Sequence, residues 1–142
     1  MKSSRLRRRL LGTAATAVLA GVGVLVSAPA AVAKANLLAI DKVALHAPGL
    51  QMKVTYSCDT GINHQLVANA VKLNQTGDDE AIAAATIKKN KLVCDYTNHT
   101  VQMTLRPAVA SHFAKGDTVK FTLFYFDDDG FSYAHEELVS VL

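Results

Sequence analysis

Apolar and polar residues alternate one by one along much of this chain, and a period of two predicts β-strands. Met52, Val54, Tyr56 and Cys58 share one parity, while Gln51, Lys53, Thr55 and Ser57 take the other. That run predicts a half-buried strand with its cysteine on the inner face. Val101, Met103 and Leu105 alternate with Thr100, Gln102 and Thr104 until Arg106-Pro107 ends the run. Val119, Phe121, Leu123 and Tyr125 alternate with Thr118, Lys120 and Thr122. A turn follows at Asp127-Asp128-Asp129-Gly130, because Asp and Gly tolerate the positive φ that a hairpin needs. A last strand then returns through Phe131 and Tyr133 to Val139 and Val141.

Weaker patterns complete the set. Ile40, Val43 and Leu45 mark an opening strand closed by Pro48-Gly49, and Gln65 to Gln75 another closed by Thr76-Gly77. Leu92 and Cys94 share a face in a short strand ending at Asp95. Residues 78–91 are ambiguous. Asp78-Asp79-Glu80 before an Ala-rich run and Lys88-Lys89 after it suit a helix dipole. Ile82 and Ile87, five apart, make no helical stripe, so the segment reads as a strand or extended edge with Ile82, Ala84 and Thr86 facing one way. Seven to eight short strands with regular turn signals predict an antiparallel β-sandwich.

Composition changes the picture through the first 33 residues. Lys2, Arg5, Arg7, Arg8 and Arg9 precede the uncharged stretch Leu10 to Val26, and Ala31-Val32-Ala33 supplies a small-x-small cleavage pattern. This is the layout of a signal peptide. The Arg7-Arg8-Arg9-Leu10-Leu11 run leaves both the general and the twin-arginine export routes open. The mature domain is then residues 34–142, secreted to the extracellular space and free of the membrane. Five of the fifteen Lys and Arg residues fall in the leader, leaving ten against all twelve Asp and Glu, a net charge of −2. A mature chain with that balance lacks the concentrated basic charge that nucleic acid or an anionic membrane surface requires. Its two cysteines, Cys58 and Cys94, read as one disulfide in an oxidising compartment. Closing a loop of that length stabilises a fold by roughly 3–4 kcal/mol in the chain-entropy model.

Taken together, the leader, Val54-Thr55-Tyr56-Ser57-Cys58-Asp59, Leu92-Val93-Cys94-Asp95 running into His99 to Leu105, and Phe113-Ala114-Lys115-Gly116-Asp117 form a recognisable order. The chain resembles the small secreted immunoglobulin-like β-sandwich proteins of actinobacteria, a group largely without assigned activity. The resemblance covers most of the mature chain and implies a sandwich with one disulfide between its halves. It carries over no catalytic residue. Antibody-type domains differ: this chain has no Trp to pack on the disulfide, and Tyr96 follows the second cysteine instead of preceding it.

Candidate chemistry is sparse. The triple aspartate Asp127, Asp128 and Asp129 has the oxygen ligands of a Ca²⁺ site, but no Glu stands at the twelfth position of an EF-hand loop, and a solvated hairpin tip accounts for it. His46, His64, His99, His112 and His135 stand singly, so a zinc site would need folding to gather distant residues. No metal or cofactor is expected. The serines lie outside the G-x-S-x-G and S-x-x-K patterns of nucleophilic hydrolases. The expected function is therefore non-enzymatic binding of an extracellular protein or cell-surface partner. A small inhibitor of an extracellular enzyme, through loops His46 to Leu50 or Pro107 to Gly116, and a hydrolase with an unrecognised site are the alternatives. The candidate binding surface is the hairpin that carries Phe124, Phe126, Asp127, Asp128, Asp129, Phe131 and Tyr133.

Overall fold

The computed structural model describes residues 37–75 and 80–142. The expected signal peptide, the expected turn at Thr76-Gly77 and Asp78-Asp79 lie outside the described residues. Seven antiparallel strands run β1 (Leu38–His46), β2 (Gly49–Tyr56), β3 (His64–Lys72), β4 (Ile82–Ile87), β5 (His99–Pro107), β6 (Thr118–Asp127) and β7 (Ser132–Val141), with a 3₁₀ turn at Lys89–Lys91. Their order is β1-β2-β5-β4-β3-β6-β7. The ladder is continuous within β1-β2-β5 and within β4-β3-β6-β7, and only Ala83↔Pro107 and Ala84↔Arg106 join the two groups. The outermost strands β1 and β7 lie against each other, so the sheet nearly closes into a barrel.

Alternation fills the centre. Met52 and Val54 on β2, Met103 and Leu105 on β5, and Val119, Phe121, Leu123 and Tyr125 on β6 are buried together, as their parity predicts. Each such side chain contributes about 1.5–3 kcal/mol of burial. On β3 the small residues Ala68 and Ala70 lie opposite Leu123 and Phe121 of β6, so bulk on one strand meets space on the next. Gly49 opens β2 where a Cβ would stand 2.1 Å from the Leu105 carbonyl oxygen, so only glycine lets β2 and β5 approach there.

Two bulges depart from simple alternation. On β1 the register shifts between Ile40 and Lys42, which explains why Ile40 and Val43, three apart, both pack on the core. On β7 the register shifts opposite Leu123 to Tyr125, where Ala134 has φ 53°. Tyr133 pairs with Tyr125, but beyond the bulge Leu138 takes the inward parity, and Val139 and Val141 are exposed. The single alternation expected from Phe131 to Val141 is therefore broken at Ala134.

Residues 82–87 form a strand, as expected from the missing helical stripe, with Ile82, Ala84 and Thr86 outward and Ala83 inward. The short strand expected at Leu92 to Asp95 is absent. That stretch is a loop crossing the end of β2, and its backbone bonds go to scattered groups in place of a ladder. Val93 N–H donates to the Tyr56 hydroxyl (3.1 Å) and Tyr96 N–H to the Cys58 carbonyl (3.1 Å). The Cys58–Cys94 disulfide pins the same loop, with Cα atoms 4.7 Å apart.

Candidate functional site

The hairpin between β6 and β7 is built by Asp127. One of its carboxylate oxygens accepts the N–H groups of Asp129 (3.0 Å) and Phe131 (2.8 Å), while its backbone N–H donates to the Phe131 carbonyl (3.0 Å). Gly130, at φ 90°, supplies the positive φ. Asp128 points elsewhere. It accepts the Lys89 ammonium at 3.0 Å and a hydrogen bond from the Asn63 amide, and Lys89 also donates to Asn63. Asp129 enters the turn through its backbone N–H. The three carboxylates thus diverge: one folds the turn, one ties the hairpin to the loops beside β3 and β5, and one is exposed at the tip.

The expected aromatic surface divides in two. Phe124 and Phe126 face outward from β6 and are half-buried. Phe124 stands opposite Val67 in the ladder and stacks on the His135 ring, with centroids 5.4 Å apart and planes 16° from parallel. Phe126 stands between Gln65 of β3 and Ser132 of β7. Phe131, 70% exposed, closes the turn just before β7. Tyr133 lies on the opposite face, where its hydroxyl and His64 Nδ1 are 2.6 Å apart. The outward face of β6 therefore carries Phe124 and Phe126, while Phe131, Asp128 and Asp129 are exposed at the turn. Tyr133 belongs to the interior.

That interior cluster is a feature the sequence pattern did not isolate. His64 starts β3 on the inward parity and is 1% exposed. Its ring packs against Tyr125 (4.3 Å) and edge-on to Tyr133 (5.6 Å). Burial holds its pKa below the usual imidazole value, against the opposing pull of the Asp59 and Asp127 carboxylates. Burial likewise pushes the Tyr125 and Tyr133 hydroxyls upward, aided at Tyr125 by Tyr56 and Tyr133 and at Tyr133 by Asp127. The Tyr125 O–H donates to the Ser57 carbonyl at 2.9 Å, tying β6 to the end of β2 next to the disulfide. A ring nitrogen of His64 and the sulfurs of Cys58 and Cys94 all lie within 4.8 Å of one another. The only legible signal for this meeting was the parity shared by His64, Leu66 and Ala68.

Two surface clefts border β4, away from the hairpin. One of about 460 Å³ opens where β4 splays from β5, between Ala84–Ile87 and Gln102–Arg106. The other, about 380 Å³, is bordered by Asn69, Val71, Ile82, Arg106 and Ala108. Arg106 is the sole titratable side chain, among the described residues, that lines either cleft. No helix among the described residues is long and apolar enough to cross a membrane.

Set against protein-family models, curated proteins and solved structures, the chain matches none.

Proposed function

We propose that the chain from Lys34 onward is a secreted, immunoglobulin-like β-sandwich domain that binds an extracellular protein or a cell-surface partner and performs no catalysis. The division of the strands into β1-β2-β5 and β4-β3-β6-β7, joined by two residue pairs only, supports the sandwich reading. The leader pattern and the even cysteine count support export.

The observation that carries the binding reading is Phe131, exposed at the turn of an acidic hairpin whose strand β6 turns Phe124 and Phe126 outward. An exposed phenyl ring gains about 1.5–3 kcal/mol when a partner buries it. Asp128 and Asp129 beside it favour approach of a cationic surface. Phe131→Ser is the direct test, because so exposed a ring contributes little to the fold. The variant keeps the parent's unfolding midpoint and loses capture of the partner from the producer's culture fluid or cell surface. Undiminished capture by a folded Phe131→Ser, Phe126→Ser double variant would remove the hairpin as the site.

One observation touches the inhibitor alternative. Val109 is 100% exposed at the tip of the loop from Pro107 to Gly116. Yet Ser111 N–H donates to the Ala108 carbonyl (3.0 Å) and Ala110 has φ 66°, which closes the tip into a turn. A protease cleft that pairs with its ligand as an added strand needs extended backbone there. The loop His46 to Leu50 is a tight β1–β2 turn with Gly49 and Leu50 buried, so it offers less still.

A further inference from the structure

We propose that reduction of the Cys58–Cys94 bond turns this end of the core into a Cys₂His site for a zinc-type divalent cation, with Cys58 Sγ, Cys94 Sγ and His64 Nε2 as ligands. The fourth position falls to solvent on the half-buried Cys94 side. Three independent features converge on this. First, a ring nitrogen of His64 and the two cysteine sulfurs already lie within 4.8 Å of one another. Tetrahedral zinc with Zn–S of about 2.3 Å and Zn–N of about 2.0–2.1 Å spaces its ligands about 3.5–3.8 Å apart. Reaching that spacing requires the two sulfurs, once unbonded, to part and the His64 ring to close on them by no more than about 1 Å.

Second, His64 is prepared as a ligand. Its Nε2 is buried and has no hydrogen-bond partner, an arrangement that folded proteins seldom leave without a use. Its Nδ1 is held by the Tyr133 hydroxyl. A metal-binding imidazole is typically fixed in this way, one nitrogen oriented by a neighbour and the other turned to the ion. Third, the ligands are anchored by more than the disulfide. His64 begins β3, Cys58 follows β2, and the Tyr56–Val93 and Cys58–Tyr96 hydrogen bonds also tie the loop of Cys94 to the end of β2.

The chemistry balances with a dithiol reductant. Two electrons and two protons pass from the dithiol, which leaves as its own disulfide, and the S–S bond becomes two thiols. Binding of the cation forms two metal–sulfur bonds and one metal–nitrogen bond and releases the two thiol protons to solvent. The metal's oxidation state does not change. The same pair of cysteines is then a covalent staple when oxidised and a metal clip when reduced, and it closes the same loop in both states. Reoxidation expels the ion. This inference stands apart from the binding surface on the hairpin and shares none of its exposed residues.

Cobalt(II) is the probe. The purified chain, reduced with a phosphine and freed of excess reagent under argon, takes up one Co²⁺ per chain. Binding brings the ligand-field absorption of a tetrahedral ion and a thiolate charge-transfer band, and Zn²⁺ displaces both. The oxidised chain gives neither band. Tyr133→Phe weakens Co²⁺ binding by about 10-fold, as loss of an orienting partner does, and His64→Ala weakens it further. Should His64→Ala not fold, Cys94→Ser in reduced form serves instead and loses most of the charge-transfer intensity. The proposal is overturned by a reduced, folded chain that takes no Co²⁺, by bands of equal strength after oxidation, or by affinity unchanged in the folded variants. It is equally overturned if reduction abolishes the strand circular dichroism and neither ion restores it, since a site of the native fold must refold the chain on binding.

Discussion

Asp127 accepts the N–H groups of Asp129 and Phe131 through one carboxylate oxygen, so the hairpin depends on that atom far more than on either neighbouring carboxylate. Asp127→Ala is expected to lower the unfolding free energy by about 1–2 kcal/mol, the scale of a charge-assisted hydrogen bond at a partly exposed turn. Asp128→Ala loses an ion pair between two well-exposed groups and is expected to cost under about 1 kcal/mol. Asp129→Ala should lie within about 0.5 kcal/mol of the parent. Urea titrations of the three variants give the order directly. A loss at Asp129 as large as that at Asp127 would mean that the tip carboxylate holds structure the geometry does not assign to it.

At the scale of elements, the β7 bulge and the joint between β3 and β6 are the places where the backbone does something its neighbours do not. Ala134 sits at φ 53°, a conformation that disfavours an L side chain by about 1–2 kcal/mol, while glycine's extra entropy returns roughly 0.5–1 of that. Ala134→Gly is therefore expected to raise the unfolding free energy by about 0.5 kcal/mol, read as a slightly higher urea midpoint. A fall would show that the Ala134 methyl, which packs on the core, outweighs the strain it carries.

The second joint is ionic. Asp117 lies beside the Lys72 ammonium at 2.9 Å and accepts the Ala114 N–H at 2.8 Å. Burial pushes its carboxyl up, but the Lys72 hydrogen bond, the Ala114 N–H and the Lys72 charge outweigh it, and the net shift is downward. A depressed acid gives stability that is whole above its unfolded value, about 3.9, and is lost as pH falls through the folded value. Asp117→Asn should thus be less stable than the parent at pH 6, and the gap should close progressively below about pH 4. A gap that persists unchanged to low pH would assign the loss to packing in place of charge.

For the whole molecule, the disulfide and the near-closure of β1 on β7 divide the work of holding the chain together. Cys58–Cys94 spans 36 residues and pins the loop that crosses the end of β2. Replacing both cysteines by Ala is expected to lower the unfolding free energy by about 3–4 kcal/mol in the chain-entropy model. The strand signal in circular dichroism should survive at low temperature, because Met52, Leu105, Phe121 and Tyr125 still bury one another when Cys58, a member of the same cluster, is cut back to Ala. Loss of the strand signal at every temperature would place the staple among the conditions for folding.

Alternation is a local property of the chain, and it made the strands β2, β5 and β6 and their inward parity legible, while turn residues gave the hairpin at Asp127 to Gly130 and the even cysteine count gave the pairing. A strand whose side chains point up and down by turns must bury one parity wherever it packs, whatever its partners are. The tertiary structure decided what needs a partner from far along the chain. It set the bulges at Asp41 and Ala134, which exist because two paired strands must reconcile different lengths, and so turned Val139 and Val141 outward. It made Leu92 to Asp95 a loop, since the groups that satisfy that backbone are the Tyr56 hydroxyl and the Cys58 carbonyl and not a neighbouring strand. It separated Tyr133 from Phe124 and Phe126, and it carried His64 to the disulfide. Such meetings leave no periodic trace, because the distance that matters is measured across the folded core and not along the chain.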